Sequence, residues 1–103
     1  MCVVITTDVK DGSGACAVVM VVARGRLVIA HCGDSEAVIF RNGATTRLCR
    51  RHRPVDELEK RRIEAAGGVV KKGRVFGMLG VSRAFGDLDL KVRAWAVGTV
   101  VRL

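Results

Sequence analysis

The chain has 103 residues, enough for one domain and too few for two. Half of the residues are hydrophobic and 27% are charged, which excludes a chain disordered by composition, and no apolar run reaches the roughly 18–20 residues of a membrane-spanning helix. The formal net charge is +8, yet three Phe and one Trp offer little surface for stacking bases, so a nucleic-acid partner is not expected.

Residues 1–7 have the composition of a strand and lack the basic n-region of a signal peptide. Cys2, Cys16, Cys32 and Cys49 form no C-x-x-C pair. The expectation is free, mostly buried thiols in a reducing compartment, cytoplasmic or nuclear. Residues 15–23, rich in Val, read as a strand because β-branched side chains suit a pleated surface. Arg24-Gly25-Arg26 turns the chain into residues 27–40, two apolar runs on either side of Gly33-Asp34-Ser35. Gly tolerates positive φ, and Asp and Ser bond their own backbone, so this break is expected to be the tip of a hairpin. Its strands are apolar at odd and even positions alike, which predicts cover on both faces. Asn42-Gly43 is a type I′ turn signal, and residues 45–49 pair back as a further strand. The expected product is an antiparallel meander over about 15–49.

Pro54 changes the pattern. Asp56 is an expected N-cap, with Glu59 three residues later completing a capping box, and Glu57–Arg61 and Lys60–Glu64 are i,i+4 pairs in the favourable order. Gly67-Gly68 supplies the stop. The helix over about 56–66 carries only a thin apolar stripe (Leu58, Ile63, Ala66), so it is expected on a surface. Residues 69–76 form a short hairpin turning at Lys72-Gly73, residues 78–91 are loop-rich, and residues 92–103 have the composition of a strand with the lone Trp95.

Four blocks then occur in order: Ser13-Gly14-Ala15-Cys16-Ala17; Gly33-Asp34-Ser35-Glu36-Ala37-Val38; His52-Arg53-Pro54 followed by residues 59–68; and Gly80-Val81-Ser82-Arg83-Ala84-Phe85-Gly86-Asp87. Together they resemble the middle of the metal-dependent protein serine/threonine phosphatases, the PPM or type 2C family. The similarity covers about 13–91 of a single partial domain, 1–103. The resemblance implies an α+β fold, part of an α–β–β–α sandwich, with the stretch after the helix forming a flap-like loop region. It implies hydrolysis of phosphoserine and phosphothreonine in a phosphoprotein substrate by a water held between two Mg²⁺ or Mn²⁺ ions.

The residues that would hold that metal pair lie, by the resemblance, in blocks absent from this sequence, so no catalytic residue is named. Asp34 is the one metal candidate, matching a ligand of an accessory third ion; alone it would bind Mg²⁺ or Mn²⁺ weakly. The chain by itself is therefore expected to be inactive, a fragment of the family domain. Arg83 is the candidate for substrate binding, a structural salt bridge being the competing reading. Asp11-Gly12-Ser13-Gly14 imitates an upstream metal block but has Ser where the family has His. Two positions depart from the family pattern: Glu36 stands in place of Arg, and Arg51 in place of Asp.

Two other constellations stand out. His31, Cys32, Cys49 and His52 fit no zinc spacing, since adjacent strand residues face opposite ways. Arg47, Arg50, Arg51 and Arg53 form a basic run that suits an acidic partner, the alternative function being a non-catalytic interaction module. Finally, a few strands and one thin helix bury little apolar area. The chain is expected to be marginally stable or to self-associate unless the tail from Trp95 closes the open face.

Overall fold

The computed structural model describes residues 12–91 and 99–102. The expected strand at 1–7, the Asp11 decoy, and Trp95 with most of the tail lie outside these residues. What is described is an α+β arrangement of small antiparallel sheets and one helix.

Strand β1 (Gly14–Ala15) runs into β2 (Ala17–Ala23), which folds back on β3 (Arg26–Cys32) in continuous register from Ala17 opposite Cys32 to Ala23 opposite Arg26. The turn between them has Arg24 at φ 50° and Gly25 at φ 72°. The same pairing of a residue with a glycine, both left-handed, recurs at Asn42-Gly43 between β4 (Val38–Arg41) and β5 (Ala44–Arg47). It recurs again at Lys72-Gly73 between β6 (Val70–Lys71) and β7 (Arg74–Val75). Two positive φ values define the type I′ turn, whose twist matches that of the strands it joins. Strand β8 (Phe85–Gly86) pairs with β1, and β9 (Thr99–Arg102) pairs with β3.

This topology corrects the expected meander. β3 and β4 do not form a hairpin: β3 is the middle strand of β2-β3-β9, and β4 pairs with β5 in a separate sheet. Both edges of β3 are already hydrogen-bonded, so no edge is left for β4. The chain instead leaves β3 through a corner at Gly33, whose φ is 101°. A side chain on Gly33 would also stand 2.2 Å from the Cys16 sulfur, so the corner is closed to any larger residue.

The expected two-sided cover holds only at the end of β3. Ile29 is fully buried, and His31 and Cys32 nearly so. By contrast Val22 is 70% exposed and Phe40 72%, because nothing among the described residues covers β2 or β4. The buried set is small: Ile29, Cys32, Cys49, Pro54, Ile63, Val75 and Ala84, with the polar His31, His52, Glu59 and Ser82 among them.

Helix α1 (Glu57–Ala65) starts where expected: the Asp56 side chain accepts from the backbone N–H of Leu58 at 3.1 Å. It ends in a Schellman motif, with Gly67 at φ 86°, its N–H donating to the Glu64 carbonyl at 3.0 Å and that of Gly68 to the Ile63 carbonyl at 2.9 Å. Glu57 and Arg61 pair on the outer face at 2.8 Å. Two details depart from expectation. Leu58 is 63% exposed, and the inward face consists of Glu59 and Ile63. Glu59 does not close a capping box; its carboxylate points into the protein, where it finds stronger donors than a helix N-terminus offers.

Candidate functional site

The four sequence blocks, far apart in the chain, close into a ring of contacts. The first meets the fourth through β1 and β8, with the Asp87 N–H donating to the Ser13 carbonyl at 2.8 Å. The first meets the second where Cys16 packs on Gly33 and its thiol lies 4.0 Å from Asp34 Oδ1. The second meets the third at His52: Gly33 N–H donates to His52 Nδ1 at 3.1 Å, and His52 N–H donates to the Gly33 carbonyl at 2.9 Å. The third meets the fourth twice. Ser82 N–H donates to the His52 carbonyl at 3.0 Å, and Ser82 Oγ–H to Glu59 Oε2 at 2.7 Å.

Glu59 is the hub on the helix side. Arg83 donates to it from Nε at 2.9 Å and from a terminal nitrogen at 2.6 Å. Arg62 adds a contact at 3.0 Å while also donating to the Ser82 carbonyl at 2.7 Å. Burial alone would raise the Glu59 pKa and is the largest single influence. The hydrogen bonds from Arg83, Arg62 and Ser82 together outweigh it and hold the carboxyl at about 2. Glu59 is therefore ionised at any physiological pH, only 7% exposed and multiply paired.

His52 is the hub on the corner side. Because Nδ1 accepts from Gly33, the proton of the neutral ring sits on Nε2. Its ring stacks on His31, centroids 4.4 Å apart and planes 11° from parallel. Burial, followed by the neighbouring His31 and Arg83, holds His52 far below the ordinary imidazole range, at about 4. Burial and Arg83 lower His31 as well. The two histidines thus form a stacked neutral pair. Cys49 supports the same loop by accepting the Ala37 N–H at 3.1 Å. Burial raises the Cys32 thiol, so it packs as an uncharged group.

Asp34 stands at the corner with its carboxylate half-buried, 3.4 Å from a terminal nitrogen of Arg53. Among the described residues no cluster of three His, Cys, Asp or Glu forms around it or elsewhere. A hard divalent cation needs several oxygen donors. The described residues, with one carboxylate already facing a guanidinium, do not fit a Mg²⁺ or Mn²⁺ centre. Arg83, the candidate for substrate binding, directs two donors at Glu59, the geometry of a structural salt bridge.

The basic run is internally paired. Arg47 and Arg51 both reach Glu36, Arg50 reaches Asp56 at 2.5 Å, and Arg53 reaches Asp34. The two positions that depart from the family pattern are thus each other's partners: Arg51 grips Glu36 through Nε at 2.6 Å and a terminal nitrogen at 2.9 Å. The family's Arg and Asp have been exchanged in sign at both ends. Glu36→Arg or Arg51→Asp alone is expected to lower the thermal midpoint, and the double exchange to recover part of the loss, Arg47 remaining beside residue 36. Additive losses in the double variant would show that the pair does not interact.

Glu59, His52 and Ser82 were not singled out by the sequence as site residues. The available signal was the i,i+4 spacing of Glu59 and Ile63, which puts the carboxylate on the helix's inward face.

Comparison with known proteins agrees with this ring of motifs. The Protein phosphatase 2C family model matches residues 4–100. Protein phosphatase ppm-1.G of Caenorhabditis elegans is 48% identical over 77 residues, 75% of this chain and 16% of that protein. A probable protein phosphatase 1N of Homo sapiens is 49% identical over 81 residues, covering 79% and 19%. The probable protein phosphatase 2C 68 of Oryza sativa subsp. japonica is 50% identical over 95 residues, covering 87% and 26%. A solved structure described as that of a C. elegans sex determining protein superposes with a TM-score of 0.68 at 34% identity, covering 76% of this chain and 20% of that one. The chain thus spans only about a sixth to a quarter of the length of these relatives. Its match to the family model runs through nearly every residue: the chain belongs to the protein phosphatase 2C family.

Proposed function

We propose that this chain takes part in metal-dependent hydrolysis of phosphoserine and phosphothreonine esters in proteins, as the framework that carries the Asp34 corner. The single observation that supports this is the closed ring of four motifs around Glu59 and His52. It orients the backbone at Gly33 from both sides, through the His52 ring and the His52 N–H. The wider α–β–β–α sandwich belongs to the same reading and is supported by the uncovered apolar faces of β2 and β4, which need a second layer.

Mg²⁺ or Mn²⁺ would supply an activated water in this chemistry. The residues described here do not make its centre, so no step of the reaction is routed through them. Their task is positional. Asp34 offers one carboxylate at the rim, and Arg83, locked to Glu59, holds the fourth block against the helix. Phosphoproteins are the substrate class. Among the described residues no helix is long and apolar enough to cross a membrane.

The test is a phosphothreonine-peptide assay of the purified 103-residue chain with added Mn²⁺. Phosphate release no faster than the blank is expected, because among the described residues Asp34 has no companion carboxylates. Manganese-dependent release that EDTA abolishes would overturn the framework reading.

A further inference from the structure

The Glu36 carboxylate lies in a cradle that its own chain provides. Arg51 donates from Nε to Oε1 at 2.6 Å and from a second nitrogen to Oε2 at 2.9 Å, and Arg47 Nε lies 2.7 Å from Oε1 as an ion pair. The two arginines come from different segments, the end of β5 and the loop before α1, so their convergence is a product of the fold. Beside this cradle, Arg47 and Arg51 also line an open surface depression with Arg50, Arg53 and Asp56, whose wall does not include Glu36. Arg47 and Arg50 keep 58% and 69% of their side-chain surface exposed, so donors remain for an incoming group.

We propose that the Arg47–Arg51 cradle, reached from this depression, is a phosphate-binding site and that Glu36 is its internal occupant, a carboxylate standing where the phosphoryl group of a phosphorylated peptide would be held. The guanidinium fork binds carboxylate and phosphate with the same planar, two-point geometry, and a phosphate dianion brings more charge and a third acceptor oxygen. The Glu36 side chain is about a quarter exposed and sits on an irregular segment between β3 and β4, so its exchange for a phosphate needs no opening of the core. A phosphate can therefore displace it without disturbing Glu59 or His52. No bond is made or broken here, so the site does not depend on the hydrolytic reading; phosphate can be held without being cleaved.

An internal occupant lowers apparent affinity by the fraction of time the site is open. Removing it should reveal the site. The experiment titrates the ¹⁵N-labelled chain with a phosphoserine peptide and follows the Arg Nε–H resonances of Arg47 and Arg51, comparing wild type with Glu36→Ala. Binding about tenfold tighter in Glu36→Ala is expected if Glu36 fills the cradle nine-tenths of the time. Reversal is expected in Glu36→Ala/Arg51→Ser. Glu36→Asp, which withdraws the carboxylate by one methylene and keeps its charge, should lie between. Inorganic phosphate should compete, which separates phosphate recognition from contacts with the peptide. Three outcomes would overturn the proposal: equal affinity in wild type and Glu36→Ala, affinity that survives loss of Arg51, or equally tight binding of a peptide with Glu in place of phosphoserine.

Discussion

Glu59→Gln is expected to remove much of the stability of this chain. The carboxylate hydrogen-bonds Arg83 and Arg62, and it also accepts from Ser82. Gln keeps the shape but not the charge, and its amide group turns a donor toward two guanidinium groups. Breaking a buried pair from one side leaves charge without compensation, at a cost of about 3–5 kcal/mol. That is comparable with the whole stability of a small domain, about 5–15 kcal/mol. The check is urea unfolding followed by circular dichroism. The midpoint should fall sharply in Glu59→Gln, and Glu59→Gln/Arg83→Met should lose less than the sum of the two single changes, because the second substitution removes the stranded cation. A Glu59→Gln midpoint close to wild type would mean that the hub does not hold the ring together.

Acidification acts on the other hub first. Folding lowers the His52 pKa from 6.5 to about 4, so between these values the unfolded chain binds the extra proton and the folded one resists it. The contribution is complete above about pH 6.5 and is lost as the pH falls toward 4. It amounts to about 3 kcal/mol. His31, Arg83 and Arg62 disfavour the imidazolium and Glu59 favours it, but burial is the largest influence. His31, also lowered, adds loss in the same direction. Glu59 takes over further down: its stabilisation, present above about pH 4.5, disappears as the pH falls toward 2. The urea midpoint should therefore drop between pH 6.5 and 4 in the wild-type chain. It should drop less in His52→Asn, whose Oδ1 can replace Nδ1 as the acceptor for Gly33 without titrating. A midpoint level from pH 7.5 to 4.5 would show that His52 is not held neutral by the fold.

Local chemistry wrote much of the secondary structure in plain terms. Arg24-Gly25, Asn42-Gly43 and Lys72-Gly73 turn hairpins because each places two left-handed residues between apolar strands. Asp56 and Gly67-Gly68 bound the helix for reasons contained within one turn of chain. Asp34 and Arg83 were visible as candidates through motifs, but their partners were not. Arg83 meets a glutamate 24 residues earlier, and Asp34 meets an arginine 19 residues later.

The error at Gly33-Asp34-Ser35 has the same origin. Two apolar runs around a Gly-Asp-Ser break look like a hairpin at short range. The competition is decided elsewhere, by β2 and β9 taking both edges of β3. Asp56, three positions before Glu59, makes a capping box the short-range expectation there. A buried guanidinium pair is a stronger attraction than a single backbone N–H, and only the folded chain brings that pair within reach.

By itself, then, the sequence determined the turns, the helix and its ends, and family membership, since each depends on residues adjacent in the chain or on motifs read in order. The tertiary structure alone decided that β3 and β4 part into separate sheets, that Glu59 and His52 are the two hubs, and that Glu36 and Arg51 are partners. The physical reason is that burial and ion pairing act through space, between segments about 15–25 residues apart here, and a one-dimensional pattern holds no record of which charges will meet.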